Sequence, residues 1–497
     1  MGRPAGAGQE QSLTVVDNRT GKKYEVPIKN NAIQATAFKQ MKAPFLTGER
    51  KENETDTAGL RVFDPGFMNT AVLESKITFI DGGKGILRYR GYPIEELVVK
   101  SSGFLETSYL LIWGELPTKQ QLNNFEREVL HHTFVHQDLE RLFAAFRYDS
   151  HPMSIMVSAF SSLGAFSPEA NPALAGQRVY TDAAKGNLKA LAVMDKQIFR
   201  LLGKSITIAA MAYRIRQGRP FNRPPAGLSF VGSFLWMLDY LNGDQKDYTP
   251  HPVLEKALDV LFQLHADHEL NASTATMLQV GSTLADPYSA VAAATAALYG
   301  PSHGGANQAV IEMLIKIGSV DKVPEFLERV KRKDAILSGF GHRVYKTSDP
   351  RSHIVRKIAE EVFEVTGRDP LIDIALALQE AASKDEYFTS RNLAANVDFF
   401  TGLIYRAIGI PSDYMTVLFA IPRVTGWLAH WRQMMLSSGG SVKIWRPRQV
   451  YTGETQRDWV DIKDRQFDDK SPAAQPTAVS HLTSIRQSLA QQAKSKL

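Results

Sequence analysis

Apolar and polar residues alternate along the first 70 positions, around turn signals, as in Leu13-Thr14-Val15-Val16-Asp17-Asn18 and Lys23-Tyr24-Glu25-Val26-Pro27-Ile28. A period of two predicts half-buried strands and a short β-rich N-terminal section, 1–70. A second strand pair is predicted for Ile77-Thr78-Phe79-Ile80 and Ile86-Leu87-Arg88-Tyr89, joined by the turn Asp81-Gly82-Gly83-Lys84-Gly85. After Pro93 the period changes to 3.6 and stays there. Residues 122–142, 187–216, 252–268 and 324–337 carry apolar side chains at i, i+3, i+4 and i+7, with Gly or Pro between the segments, so each predicts a helix. Residues 289–298 and 416–428 are apolar almost all round, which predicts helices buried in a large core or in a subunit interface. No internal repeat is visible. The stretch from Asp461 is polar, with Pro472 and Pro476, and reads as a surface arm, 461–497.

A chain of 497 residues with 44% hydrophobic and 22% charged residues is too apolar for a disordered protein and long enough for roughly two to three domains. It contains no cysteine, which excludes disulfides, thiolate metal sites, Fe–S clusters and a cysteine nucleophile together. An excess of 58 Lys and Arg over 52 Asp and Glu is too dilute for a nucleic-acid-binding stripe, so no nucleic-acid partner is expected. The most apolar run, 288–299, is well short of the roughly 20 residues that cross a bilayer, so no membrane span is expected. Residues 1–12 show no apolar export segment, and Gly6 stands where a myristoylation signal needs Ser or Thr. The chain ends Ser495-Lys496-Leu497, a peroxisomal address read by an import receptor.

Several motifs can carry chemistry. In His265-Ala266-Asp267-His268-Glu269 two histidines stand at i and i+3 on one predicted helical face. A metal site, a helix-end cap and an anion contact by one imidazole all fit, although no complete zinc pattern is present. In Gly300-Pro301-Ser302-His303-Gly304-Gly305-Ala306-Asn307 glycines crowd a histidine just before an apolar-periodic segment, 310–317. The positive end of that helix disfavours imidazolium and leaves a neutral ring able to donate to a developing oxyanion, unless the ring merely satisfies a turn. Ser338-Gly339-Phe340-Gly341-His342-Arg343-Val344-Tyr345-Lys346 again sets glycines beside cationic side chains, and it lacks both the Walker and the dinucleotide patterns. A phosphorylated or carboxylated ligand is suggested, with Arg351 of Asp349-Pro350-Arg351 available for a bidentate carboxylate contact. Asp398 stands in an apolar run, Asn396-Val397-Asp398-Phe399-Phe400-Thr401-Gly402, as a desolvated base or as a helix cap. Arg423 lies in an apolar helix where a buried guanidinium needs an anion, and Arg446-Pro447-Arg448 adds cationic charge or a solvated turn.

Taken together these motifs resemble the citrate synthase family from about residue 13 to residue 453. The order carries the resemblance: GGKGILRYRGYPI at 82–94, then HADHE, GPSHGGAN, GFGHRVYK, NVDFFTG and WRPRQVYTG. It implies a mainly α fold, with a large helical domain (71–304 and 410–460) and a smaller helical domain (305–409) closing over the active site of a homodimer. It implies condensation of acetyl-CoA with oxaloacetate to citrate and free CoA, with acetyl-CoA as co-substrate, no permanently bound cofactor and no metal. Asp398 would remove the methyl proton, neutral His303 would stabilise the enol or enolate, and His342 would polarise the ketone. His268, Arg351, Arg423 and Arg446 would hold the carboxylates of oxaloacetate, Arg446 reaching in from the partner subunit, while Arg343 and Lys346 would line the CoA cleft. The sequence departs from the family pattern at Met277-Leu278-Gln279, where an arginine is common, and at Ser302, Phe400 and Thr401 beside the catalytic positions. Those flanking changes leave a longer acyl-CoA as an alternative donor, since one methylene is worth only about 1–3 kcal/mol in an apolar pocket. A noncatalytic binding dimer of the same fold would have lost one of the three central residues, and all three stand.

Overall fold

Strands occupy only the beginning of the chain and helices nearly all the rest of this computed structural model, which describes residues 11–43, 59–171, 174, 177–241, 248–341, 344–345, 349–454, 456–465, 485–486 and 489. Contacts divide the chain into two units, Met1–Val72 with Pro447–Leu497, and Leu73–Arg446.

In the first unit Ser12–Asp17, Lys22–Lys29 and Ala32–Ile33 form an antiparallel meander, with Leu13 opposite Val26 and Val15 opposite Tyr24. The Asp17 carboxylate closes the first turn by accepting two guanidinium hydrogen bonds from Arg19, each 2.9 Å. Of the C-terminal arm, the described part includes the short helical turn Ile462–Asp464.

The second unit opens with a sheet of Thr78–Asp81, Ile86–Tyr89 and Tyr92–Pro93, and the first α-helix, Ile94–Lys100, starts where the apolar period changes. Helix starts follow local chemistry. Thr118 and Gln121 make a capping box for Lys119–His131, and the Asn187 side chain accepts the N–H groups of Lys189 and Ala190 to start the 29-residue helix Leu188–Arg216. Asp286, Asp349 and Asp369 each cap a helix whose first residue is proline.

Helix ends depart more from the periodic reading. Residues 122–142 are two helices, Lys119–His131 and Gln137–Ala144, because the His136 imidazole caps a new start and Thr133 turns its hydroxyl back onto the Leu130 carbonyl. The helix expected to reach residue 337 stops at Lys331. The helix expected over 252–268 is Pro252–His265, so His268 lies beyond its end and does not share a helical face with His265.

The all-round apolar segment 416–428 falls inside Met415–Ser437, whose residues from Met415 to Trp431 are buried without exception. Pro422 lies inside this helix, where its missing N–H leaves the carbonyl of Leu418, four residues earlier, without its helical donor. One turn after Pro422 the N–H of Gly426 donates across to the carbonyl of Ala266, at 3.1 Å. A Cβ at position 426 would stand 2.4 Å from the Asp267 carboxylate and 2.5 Å from that carbonyl, so only glycine allows the approach.

Candidate active site

Backbone pairing assembles the motifs. Gly341 donates its N–H to Ala394, Asn396 donates its N–H to Gly339, and the Asn396 side-chain amide donates to the Gly341 carbonyl, all at 2.8–2.9 Å. Gly339 and Gly341 both have positive φ, and a Cβ on Gly339 would come within 2.6 Å of Val310 on the helix Ala306–Ile317. Three distant segments thus meet at the start of the helix Val397–Ala407. His342, Arg343 and Lys346 lie outside the described residues.

Asp398 occupies the first turn of that helix, and Asn396 is the cap, its side chain accepting the Asp398 N–H at 3.0 Å. The capping alternative for Asp398 therefore falls to Asn396. Oδ1 of Asp398 accepts a 2.9 Å hydrogen bond from Nδ2 of Asn307. Burial pushes the carboxyl up to about 6, with Asp349 adding to the rise and Arg351, Arg423 and the Asn307 amide opposing it. A carboxylate poised there is ionised at neutral pH and basic enough to take a proton.

His303 is partly buried in the tight turn before Ala306–Ile317. Its Nε2 receives the backbone N–H of Ser273 at 3.3 Å and touches the Ser273 hydroxyl at 3.0 Å. A peptide N–H only donates, so Nε2 is the acceptor and the ring proton sits on Nδ1. Burial, reinforced by Arg423, holds its pKa down to about 4, so the ring is neutral. The electropositive helix start beside Nε2 is that of Ala272–Gly281, not only the helix that follows His303 in sequence.

Two buried arginines flank the carboxylate. Arg351 makes a bidentate pair with Asp349, 3.0 Å from Nε and 2.8 Å from Nη2, and Asp349 also caps the helix and accepts the Val397 N–H at 3.3 Å. This pair outweighs burial and raises the Arg351 pKa. Arg423 donates from Nε to the His265 carbonyl at 2.8 Å. With Gly426 bonded to Ala266, the helix Met415–Ser437 grips consecutive carbonyls just ahead of His268. That histidine is buried and its Nε2 meets the Tyr345 hydroxyl at 3.3 Å.

The other candidates are placed differently. His265 is fully buried and stacked on Phe419 at 3.8 Å between centroids, and neither ring nitrogen has a hydrogen-bond partner among the described residues. Burial first, then Arg351 and Arg423, hold it well below the usual histidine range. Among the described residues no three His, Cys, Asp or Glu side chains are grouped closely enough to hold a metal ion. Arg446 is exposed, following a Trp445 whose N–H is anchored to the Ser282 hydroxyl at 3.0 Å.

Sequence reasoning passed over Asn307, Asp349 and Tyr345 as functional groups. It also missed Asp267, whose fully buried carboxylate accepts from Thr78 at 2.5 Å and contacts His430 at 3.3 Å. Burial would raise the Asp267 pKa, but His430, Thr78 and Arg423 together lower it. Tyr89 clamps the same loop, donating to the Asp267 carbonyl at 2.8 Å and receiving its N–H at 3.2 Å.

The chain is similar to known proteins along most of its length. The family model described as citrate synthase, C-terminal domain, matches residues 66–448. The chain is 52% identical to the peroxisomal citrate synthase of Dictyostelium discoideum over 92% of its length and 88% of that protein's. It is 48% identical to the glyoxysomal citrate synthase of Cucurbita maxima, over 96% of its length and 88% of the relative's. Its fold matches citrate synthase from Thermoplasma acidophilum, solved as a ternary complex with carboxymethyl coenzyme A and oxaloacetate, with a TM-score of 0.72 and 30% identity, covering 80% of this chain and 98% of that one. A family model matched over residues 66–448 and relatives about half identical along most of the chain, around a buried carboxyl pushed up to about 6, a neutral histidine and two buried arginines, identify it as a member of the citrate synthase family.

Proposed function

We propose that Asp398, His303 and His342 carry the citrate synthase reaction of this chain. The reaction joins the methyl carbon of acetyl-CoA to the ketone of oxaloacetate and then hydrolyses the thioester, giving citrate and free CoA. Asp398 takes a methyl proton while Nδ1–H of His303 donates to the thioester oxygen, where charge develops. The resulting enol or enolate attacks the ketone carbon, and His342 supplies the proton that its oxygen needs. One preorganised donor of this kind is worth about 2.7–4 kcal/mol in a closed site. The observation that supports these roles best is the pairing of a carboxyl raised to about 6 with an imidazole lowered to about 4.

His268, Arg351, Arg423 and Arg446 of the partner subunit bind the two carboxylates of oxaloacetate in this reading, and Arg343 and Lys346 meet the phosphates of CoA. Residues 305–409 form the smaller domain that closes over the site in a homodimer. The relatives named peroxisomal and glyoxysomal suggest the peroxisome as the compartment, with Ser495-Lys496-Leu497 as the address presented to the import receptor. No helix among the described residues is long and apolar enough to cross a membrane.

Exchange of the thioester methyl protons into deuterated solvent tests the roles. Asp398→Asn and His303→Ala suppress exchange, whereas His342→Ala retains it and loses condensation; equal exchange in the two histidine variants overturns the division. Thiol release with oxaloacetate and acetyl-, propionyl- or hexanoyl-CoA ranks the donors, acetyl-CoA being expected first.

A further inference from the structure

We propose that Asn307 is a positioning residue for the base, its side-chain amide locking Oδ1 of Asp398 and turning Oδ2 toward the substrate. The proposal rests on Asp398 being the base. Asn307 is fully buried in the first turn of Ala306–Ile317, and Nδ2 donates to Oδ1 of Asp398 at 2.9 Å. A carboxylate only accepts, which fixes the amide orientation and sends Oδ1 of Asn307 the other way. There it finds no hydrogen-bond partner among the described residues.

A buried acceptor without a partner costs stability, and an apolar side chain of similar size at this position would avoid that cost. Fold stability therefore does not account for an asparagine here; a donor held on the carboxylate does. The neighbouring helix is cut to fit. A Cβ on Gly402 would lie 3.3 Å from the Asn307 carbonyl, from Oδ1 of its side chain and from Ile311, so glycine sets the close approach that brings the amide within reach of Asp398. No protein hydrogen bond reaches Oδ2 of Asp398 among the described residues, so one oxygen is held and the other is left for chemistry.

Among the described residues the charged and titratable groups around Asp398 are Arg351 and Asp349 on one helix, Arg423 on the core helix and Tyr405 on its own. The two arginines and the Asn307 amide favour the ionised carboxylate, while burial and Asp349 oppose it. Removing the amide leaves the carboxyl harder to ionise and free to rotate.

The test compares the pH profile of kcat, the KM for oxaloacetate and the melting temperature for Asn307→Ala and Asn307→Asp, with Asp398→Asn alongside. Asn307→Ala removes one orphaned acceptor but leaves Oδ1 of Asp398 without its donor, so Tm is expected to change little, while the KM for oxaloacetate stays within about twofold, kcat falls about tenfold and the acid limb moves up by about one pH unit. Asn307→Asp keeps the shape, so it folds even where alanine does not, and it moves the limb further because two carboxylates then share the site. An unmoved acid limb in the isosteric variant, or a fall in kcat that only follows a fall in Tm, overturns the proposal. Near-normal turnover in Asp398→Asn instead overturns the assignment of the base, so the two failures are distinct.

Discussion

The peptide N–H of Ser273 meets Nε2 of His303 at 3.3 Å, and this contact decides which ring nitrogen carries the proton. The Ser273 hydroxyl adds a second layer, lying 3.0 Å from Nε2, 2.7 Å from the Asn271 side-chain oxygen and 3.1 Å from the Trp427 indole nitrogen that donates to it. Ser273→Ala keeps the peptide donor but leaves the Trp427 N–H without its partner. Stability is expected to fall by about 1–3 kcal/mol, and kcat by about tenfold or less, because the tautomer survives. Calorimetry with steady-state kinetics checks this; a loss of kcat near a thousandfold would mean the hydroxyl, not the peptide, sets the tautomer.

Asp398 titrates near 3.8 in an unfolded chain and about 6 in the folded one. Between those values the folded protein holds the extra proton, so stability falls as pH rises through this window, by about 2–3 kcal/mol once pH exceeds 6. Asp398→Asn escapes that cost. It is expected to melt higher than the parent at pH 7.5, to match it below pH 4 where both remain folded, and to be inactive throughout. Equal melting temperatures at pH 7.5 would contradict the raised pKa.

The ion pair of Asp349 with Arg351 is almost wholly buried, with side chains 1% and 4% exposed. Asp349→Ala strands the guanidinium and removes the cap of Pro350–Thr366, so a loss of about 3–5 kcal/mol is expected in urea denaturation. Asp349→Ala combined with Arg351→Met should recover at least half of that stability while losing oxaloacetate affinity. A double variant no more stable than the single would show that the cap, not the stranded charge, carries the loss.

An exposed Arg446 that serves a neighbouring site can be tested by mixing inactive chains. Arg446→Ala and Asp398→Ala subunits, exchanged into heterodimers, should regain up to half of the parental activity per dimer because one site then has both residues. Confirmed exchange with no regained activity places Arg446 outside the partner's site.

Deleting Leu497 from a chain tagged at its N-terminus with a fluorescent protein should turn a punctate peroxisomal signal diffuse. Punctate signal that survives the deletion rules out Ser495-Lys496-Leu497 as the address.

The sequence disclosed backbone constraints better than side-chain partnerships. Gly339 and Gly341 read as positions where backbone comes close to something, and both take positive φ in the pairing with residues 394–396. The strands at 12–33 and 78–93 and the helix starts at Asn187 and Pro252 were legible because alternation, caps and prolines act locally. The stop at His265 was not, since it depends on Ala266 bonding to Gly426 far along the chain. The split within 122–142 contains neither glycine nor proline to announce it. Ser273 stayed open between cap and site, and Asn307 escaped notice, because a small polar residue in a first helical turn looks like a cap until a distant ring or carboxylate is seen against it.

The grip of the helix Met415–Ser437 on the His265 and Ala266 carbonyls has a consequence for the order in which the molecule forms. Arg423 and His265 are 158 residues apart, so during synthesis the loop carrying His268 is made long before the helix that braces it. Closing so long a connection is slow compared with forming a local turn. Until Met415–Ser437 has left the ribosome, the nascent chain holds every earlier motif and still lacks the brace of the loop that carries His268.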